Sequence, residues 1–381
     1  MKTILVLNGF YIPARNYGGP TTSLRNVVHM CSGEYAFRIF AADHDFGETK
    51  RFEGIVSGWN DVGKAKVLYA EQRPYAYSKT RLGKLLDTTN PALVWIIGIF
   101  RPEIKLIMAY LCRKRGIPYL ISPRGEVCKE TINMKGYKKL PYAMLVSHFG
   151  AFQGAWYHST SDEETNGLIR YFHVPKERIF QVPNISSSAV PAVSLKKVPG
   201  MLRIVYISRI QAKKNVNIAM HAVCALKCDA EFDVYGPMEE PELWKTCEEI
   251  ASAAPSNVKV QYYGTLSPDE VGPTFERYHV FLFPTRSENY GHVIAESLAN
   301  GCPVILSRGT TPWDDLDGRG GYVVPLHVSG GFTEALNKIA VLDEAGYAAL
   351  RASTQEYFME KTGQDDAVKG HLEMFGKLIG N

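Results

Sequence analysis

The sequence predicts an α/β protein of two domains, each built on a parallel sheet. Three observations carry this. Short apolar runs alternate with stretches of helical periodicity along the chain. The pattern breaks at residues 185–200, where Ser186, Ser187, Ser188, Pro191, Pro199 and Gly200 leave nothing periodic. It then restarts with a clean apolar run, Leu202-Arg203-Ile204-Val205-Tyr206-Ile207. At 381 residues the chain is long enough for two such domains. The expected division is 1–185, a linker at 186–200, a second domain at 201–361 and a last helix within 362–381.

In the first domain, residues 3–7 read as a buried strand. Gly18-Gly19-Pro20 closes the loop after it, and Thr21 or Thr22 can cap a helix with Leu24, Val27, Val28 and Cys31 on its apolar face. A glycine pair at this position lets backbone approach a ligand closely. Further strands are expected at 37–42, 66–69, 93–97, 119–122, 155–160 and 180–183. Helices are expected at 79–87, 103–115 and 162–171, the last capped by Ser161 with Glu163 and Glu164 near its positive end. Residues 51–63 are turn-rich and receive no element. Residues 129–149 interleave Lys129, Lys135, Lys138 and Lys139 with Met134, Tyr137, Leu140, Tyr142, Met144, Leu145 and Phe149. Such a stretch either lies on an anionic membrane surface or packs as an ordinary helix with its lysines in water.

In the second domain, strands are expected at 202–207, 231–235, 258–263, 280–283 and 302–306, with a helix beginning at 267–270. Around Ser287–Asn300 the chain runs strand, loop, helix. Glu288 follows a strand's carboxyl end, Gly291 opens a helix and Glu296 lies within it, eight residues beyond Glu288. Helix-start N–H groups can meet phosphate oxygens there, and the two carboxylates can meet sugar hydroxyls. Upstream, Arg209 leaves a strand end and Lys214 opens the next helix, so both cations can converge on one anion.

Composition excludes other classes. A net charge of +4 is too small and scattered for a nucleic-acid binder. Seven cysteines without framework spacing fit reduced thiols. Cys224 and Cys228 read as adjacent turns of one helix, and Asp314-Asp315 as an acidic helix start, so no metal site is expected. No apolar run reaches the roughly 20 residues of a membrane span, and the N-terminal run is too short for a signal peptide. The expected location is cytoplasmic.

The segment Glu288-Asn289-Tyr290-Gly291-His292-Val293-Ile294-Ala295-Glu296, followed by Gly301-Cys302-Pro303-Val304, resembles the E-x7-E motif of retaining glycosyltransferases of the family 4, group 1 type. Ser208-Arg209 with Lys214 is similar to that family's G/S-R-x4-K signature. Residues 309–325 look like its P-W-x-x-L…G-W-x-V-P segment in bacterial lipopolysaccharide and capsule transferases. The resemblance is specific across the second domain. It is looser across the first, where it rests on Gly18-Gly19, Ser122-Pro123-Arg124-Gly125 and strand order.

The resemblance implies a GT-B architecture: two Rossmann-like domains facing across a cleft, with the last helix crossing back to the first. It implies a metal-independent transfer, without cofactor, of a hexose or N-acetylhexosamine from a nucleoside diphosphate sugar, UDP favoured. The acceptor would be a glycan or polyprenyl-diphosphate-linked oligosaccharide in surface polysaccharide synthesis. Arg209 and Lys214 would clamp the diphosphate, Glu288 hold the sugar and Glu296 the ribose. Gly18, Gly19, Asn289, Tyr290, Gly291, His292 and Val293 would line the donor. Gly236, Pro237, Gly264, Thr265 and Leu266 would meet the base. Many relatives have His where Arg124 stands; Arg124 is expected to bind a pyrophosphate or a sugar hydroxyl. The resemblance also favours peripheral contact of residues 129–149 with the inner membrane's cytoplasmic face. Two other readings fit the same residues: a nucleotide-sugar epimerase or hydrolase of this fold, and a non-catalytic nucleotide-sugar-binding subunit.

Overall fold

The structure, a computed structural model, describes residues 1–70, 78–100, 102–134, 136–186, 189 and 195–380. Lys135, Ser187, Ser188 and Pro191 lie outside the described residues. The chain divides into two compact units, Met1–Ile185 with Asp365–Asn381, and Ser186–Gln364.

The first unit runs β1 (Lys2–Leu7), α1 (Gly19–Cys31), β2 (Tyr35–Ala42), β3 (Trp59–Val62), β4 (Ala65–Ala70), α2 (Lys79–Thr89), β5 (Leu93–Ile97), α3 (Pro102–Arg115) and β6 (Tyr119–Ser122). It continues through α4 (Lys129–Asn133), α5 (Gly136–His148), β7 (Trp156–Ser159), α6 (Asp162–Phe172) and β8 (Ile179–Gln181). Among the described residues its sheet is ordered β3-β4-β2-β1-β5-β6-β7-β8. All pairings are parallel except β3 with β4. Burial on both faces explains why β1 and β5 read as unbroken apolar runs. The β3 strand lies in the turn-rich stretch that the sequence left without an element. It is a short, polar edge strand, so it carries no apolar signature.

One local expectation is corrected. α1 begins at Gly19, with Gly18 as its N-cap and Pro20 in the first turn. Thr21 and Thr22 therefore do not cap it; both amides donate to the Gly18 carbonyl (3.0 and 3.3 Å). Proline in the first turn loses nothing, because those N–H groups have no helical partner. Glu164 lies in the first turn of α6 as expected, and it is buried. Its carboxylate accepts from the Gly125 and Thr160 amides and the Thr160 hydroxyl, tying α6 to the end of β6. Burial raises its pKa.

α5 is inside out relative to an ordinary sheet-packing helix. Only Ala143 and Val146 are buried on it, while Tyr137, Leu140, Met144 and Leu145, with Phe149 just beyond, face water. Their three- and four-residue spacing makes one stripe. Tyr142 anchors the helix from the other side. Its hydroxyl donates to the Ile99 carbonyl (3.0 Å), and its ring packs on Phe100 (5.5 Å).

The second unit runs β9 (Met201–Ile207), α7 (Val216–Cys224), β10 (Asp229–Tyr235), α8 (Pro241–Ser252), β11 (Val258–Gly264), α9 (Val271–Phe275) and β12 (Val280–Phe283). It continues through α10 (His292–Ala299), β13 (Val304–Ser307), β14 (Gly321–Val324), α11 (Gly331–Ala340) and α12 (Glu344–Thr362). Among the described residues its sheet is all parallel, in the order β11-β10-β9-β12-β13-β14. The sequence missed β14, whose glycine-led run followed a turn cluster. It also placed Cys228 on the helix of Cys224; α7 ends at Cys224, and Cys228 falls in the connection to β10. The helix expected from 267–270 is short and starts at Val271.

The last helix, α13 (Gln364–Ile379), belongs to the first unit. It buries Ala367, Met374 and Phe375, with the Phe375 ring 5.4 Å from Trp95. It also brings His371 to 5.1 Å from His158. His158 sits in a fixed chain. Trp95 Nε1 donates to Ser122 Oγ (2.7 Å), Ser122 donates to His158 Nδ1 (3.0 Å), and His158 Nε2 donates to the Val182 carbonyl (2.9 Å). His371 spends Nδ1 on the Ala367 carbonyl (2.9 Å), and its Nε2 is buried without a partner.

Burial pushes His371 down to about 3, helped by the Arg124 charge, and lowers His158 well below the ordinary value. The folded state thus holds both rings neutral, and the unfolded chain binds more protons below about pH 6.5. Stability of this unit is expected to be full above that pH and to fall as pH drops from there toward 3. His371→Phe should remove part of the loss. Acid unfolding followed by near-ultraviolet circular dichroism checks this; identical acid profiles for both proteins would refute it.

Candidate functional site

In the second sheet the strand order reverses beside β9: β10 and β11 lie to one side, β12 to β14 to the other. A reversal of this kind is where α/β sheets hold ligands, in the crevice outside the strands' carboxyl ends. Arg209 and Lys214 follow β9, and Glu288 follows β12.

Lys214 closes a single 3-10 turn, Ala212–Lys214. Its backbone is fixed by the fully buried Tyr206, whose hydroxyl donates to the Lys214 carbonyl (3.1 Å). Its side chain is 9% exposed and its ammonium forms an ion pair with Glu288. Burial holds Lys214 below its ordinary pKa; Glu288 opposes this, and the charges of Arg209 and Lys213 add to it. Arg209 stands more open and pairs with Glu239 (3.1 Å). The two cations expected to clamp an anion therefore share one neighbourhood, each neutralised by a carboxylate.

The next connection is held as tightly. Asn215, buried and in the left-handed region at φ 54°, donates from Nδ2 to the Pro284 carbonyl (2.8 Å) and accepts from Arg286 Nε (3.1 Å). The Glu288 amide donates to the Thr310 carbonyl (2.8 Å). Gly291, at φ 77°, begins α10; a Cβ there would stand 2.7 Å from Ile294 Cδ1. Asn289 precedes Tyr290 in this connection. The Tyr290 hydroxyl bonds Ser186, its carbonyl accepts from Trp313 Nε1, and its ring packs on His292 (4.8 Å). Burial pushes its phenol up to about 12, so it stays neutral. His292, Val293 and Glu296 lie half-buried on α10.

At the ends of β10 and β11 the two expected base-binding corners are bonded to each other. The Gly236 amide donates to the Gly264 carbonyl (2.8 Å), and the Tyr262 hydroxyl to the Gly236 carbonyl (2.7 Å). Pro237 accepts from the Ile210 amide (2.9 Å), which ties this corner to the Arg209 loop. The Gly264 carbonyl is thus engaged inside the protein, and Thr265 and Leu266 continue the edge beyond it.

In the first unit, the strand order reverses beside β1, between β2 and β5. The loop carrying Gly18 and Gly19 leaves β1 at that point. What pins this loop carries no signal in residue pattern. Asp45, buried after β2, accepts from the amides of Arg15 (2.7 Å), Asn16 (3.1 Å) and Phe46 (2.7 Å). An acid in a polar loop carries no periodic signal, so only the fold exposes this role. Arg124 follows β6 in the left-handed region at φ 54°. One of its terminal nitrogens donates to Asn184, its guanidinium lies 5.4 Å from the Trp95 ring, and Nη2 is buried without a partner. Burial lowers its pKa to about 10, so it remains a cation at neutral pH. A strained backbone with an unsatisfied buried donor marks a candidate functional residue.

Residues 202–340 match the family model described as Glycosyl transferases group 1. D-inositol 3-phosphate glycosyltransferase of Streptomyces bingchenggensis is 23% identical over 243 residues, 58% of this chain and 52% of that protein, so the chain spans about half the length of this relative. Anabaena Alr3699/HepE, solved in complex with UDP and glucose, superposes with a TM-score of 0.69 at 12% identity, covering all of both chains. WaaG, a glycosyltransferase involved in lipopolysaccharide biosynthesis, gives a TM-score of 0.65 at 13% identity over 96% of this chain and 98% of its own. At these identities the solved structures establish the fold, which is that of the GT-B glycosyltransferases.

Proposed function

We propose that this chain, whose second unit is a glycosyl transferases group 1 domain on a GT-B fold, transfers a sugar from a nucleoside diphosphate donor to a glycan or lipid-linked acceptor. The observation that carries this is the grouping of Arg209, Lys214 and Glu288 at the carboxyl ends of β9 and β12, where the strand order reverses. Two cations there can hold a diphosphate and stabilise the charge that grows on it as the glycosidic bond breaks. Their charge makes a metal unnecessary to the proposal. The transfer is read as retaining: the bond from the anomeric carbon to the phosphate oxygen breaks, the bond to the acceptor oxygen forms on the same face, and the leaving diphosphate takes the acceptor's proton. Glu288 holds the transferred sugar and Glu296 the ribose. UDP is the favoured nucleotide, consistent with the ligand of Alr3699/HepE.

A transfer assay on the full chain with a panel of nucleotide sugars tests the reading. Glu296→Ala should weaken nucleotide affinity about tenfold with a smaller change in turnover. Glu288→Gln should lower turnover about a hundredfold with affinity nearly kept. Equal effects on both parameters in both variants would undo that division. Net donor hydrolysis or epimerisation with no transfer would replace the reaction itself.

The acceptor's lipid setting is supported by α5. Tyr137, Leu140, Met144, Leu145 and Phe149 are exposed in one stripe beside Lys129 and Lys138, the pattern of a helix that rests on an anionic bilayer surface. Among the described residues no helix is long and apolar enough to cross a membrane. Leu145→Gln with Phe149→Gln should lower binding to phosphatidylglycerol-containing vesicles about tenfold or more. Vesicle flotation reads this, and unchanged flotation would refute the contact.

A further inference from the structure

We infer that Arg286 is a third phosphate-binding cation of this site, aimed by Asn215. The inference rests on the donor reading above and extends it to a residue outside both motifs.

Arg286 stands two residues before Glu288 and is exposed. Its backbone amide donates to the Lys213 carbonyl (2.9 Å), so it is fastened to the turn that carries Lys214. Its Nε donates to the buried Asn215 amide oxygen (3.1 Å), and the same amide group holds the Pro284 carbonyl. Spending Nε this way orients the guanidinium and leaves the edge formed by its two terminal nitrogens to meet an anion side by side. Rotamer entropy that a free arginine would lose on binding is already partly lost.

Charge decides what that edge is for. Arg209 is paired with Glu239 and Lys214 with Glu288. Among the described residues Arg286 has no carboxylate within ion-pair distance, so it supplies unbalanced positive charge to this crevice. An incoming diphosphate must displace or share a carboxylate to reach Arg209 or Lys214. It meets no such competitor at Arg286. A phosphate could also come from the acceptor. Attachment of Arg286 to the Lys213–Lys214 turn favours the donor's diphosphate.

The test is calorimetric titration of the full chain with UDP, GDP and ADP, and with the matching nucleosides, at two salt concentrations. Arg286→Gln should weaken the diphosphate that the wild type binds by about tenfold or more. It should flatten the salt dependence, leave nucleoside binding unchanged, and be partly rescued by Arg286→Lys. Because the side chain is exposed, the variant should fold, and circular dichroism checks this. Unchanged diphosphate affinity in Arg286→Gln would overturn the inference and leave the donor reading standing. A rise confined to the acceptor's KM would overturn it too, assigning the cation to an acceptor phosphate. If the wild type bound none of the three diphosphates, inference and donor reading would fall together.

Discussion

Lys214→Ala is expected to lower turnover about a hundred- to a thousandfold, the usual loss when one preorganised donor to a developing negative charge is removed. The ammonium is mostly desolvated, so its field on a leaving diphosphate is weakly screened. Stability should fall as well. Glu288 keeps 17% of its side-chain exposure and would lose its cation. That exposure places the cost at about 2 kcal/mol, below the loss for a fully buried pair. The two effects separate in a second variant. Adding Glu288→Gln to Lys214→Ala should restore most of the stability and none of the turnover. Recovery of turnover with stability would make the pair a structural clasp rather than a diphosphate clamp.

Gly236→Ala should be among the most damaging small substitutions in the second unit, with Gly321→Ala its peer. Gly236 sits at φ 139°, and an added Cβ would stand 1.8 Å from the Ser208 carbonyl oxygen and 3.2 Å from the Arg209 amide nitrogen. Both are backbone atoms at the end of β9. The Ser208 amide is bonded to the Tyr235 carbonyl (3.0 Å) and the Ile210 amide to Pro237 (2.9 Å), so that end has little room to move. The expected loss is about 3–5 kcal/mol, a fall of roughly 10 °C in Tm for a unit of this size. Gly264→Ala is the control. It also has positive φ, at 78°, but opens onto empty space, so its cost should be near 1 kcal/mol. Thermal unfolding of both proteins reads the difference; equal losses would show that close packing against Ser208 is not what requires glycine.

How much of this was legible in the sequence differs by element. The β9–α7 and β12–α10 connections were readable because each motif sits between an apolar strand and a helix with one apolar face, so residue type and position constrained each other. Arg209 and Glu288 accordingly lie past strand ends as expected, whereas Lys214, expected to open the next helix, closes a 3-10 turn just before α7. The pairing of Lys214 with Glu288 was not readable, since 74 residues separate them. β3 and β14 were missed because short, polar or glycine-led strands lack the apolar run that marks a buried one. For residues 129–149 composition left a membrane-facing stretch and an ordinary packed helix both open; that the large apolar side chains are exposed alongside Lys129 and Lys138 needed the fold. Asp45, Asn215 and Arg286 act through backbone and amide contacts from loops, where periodicity says nothing. Arg124 was visible as an unusual residue at a strand end. Its left-handed backbone and its bond to Asn184 needed the fold.

The proposed reaction requires a donor diphosphate at the carboxyl ends of β9 and β12, held by Arg209 and Lys214. A crystal structure of the full chain with a bound nucleoside diphosphate sugar tests it most directly. Phosphate oxygens are expected within hydrogen-bond distance of Arg209 and Lys214, with the Lys214–Glu288 pair opened and Glu288 turned onto the sugar. A diphosphate bound away from both cations, or one bound with the pair still closed, would contradict it.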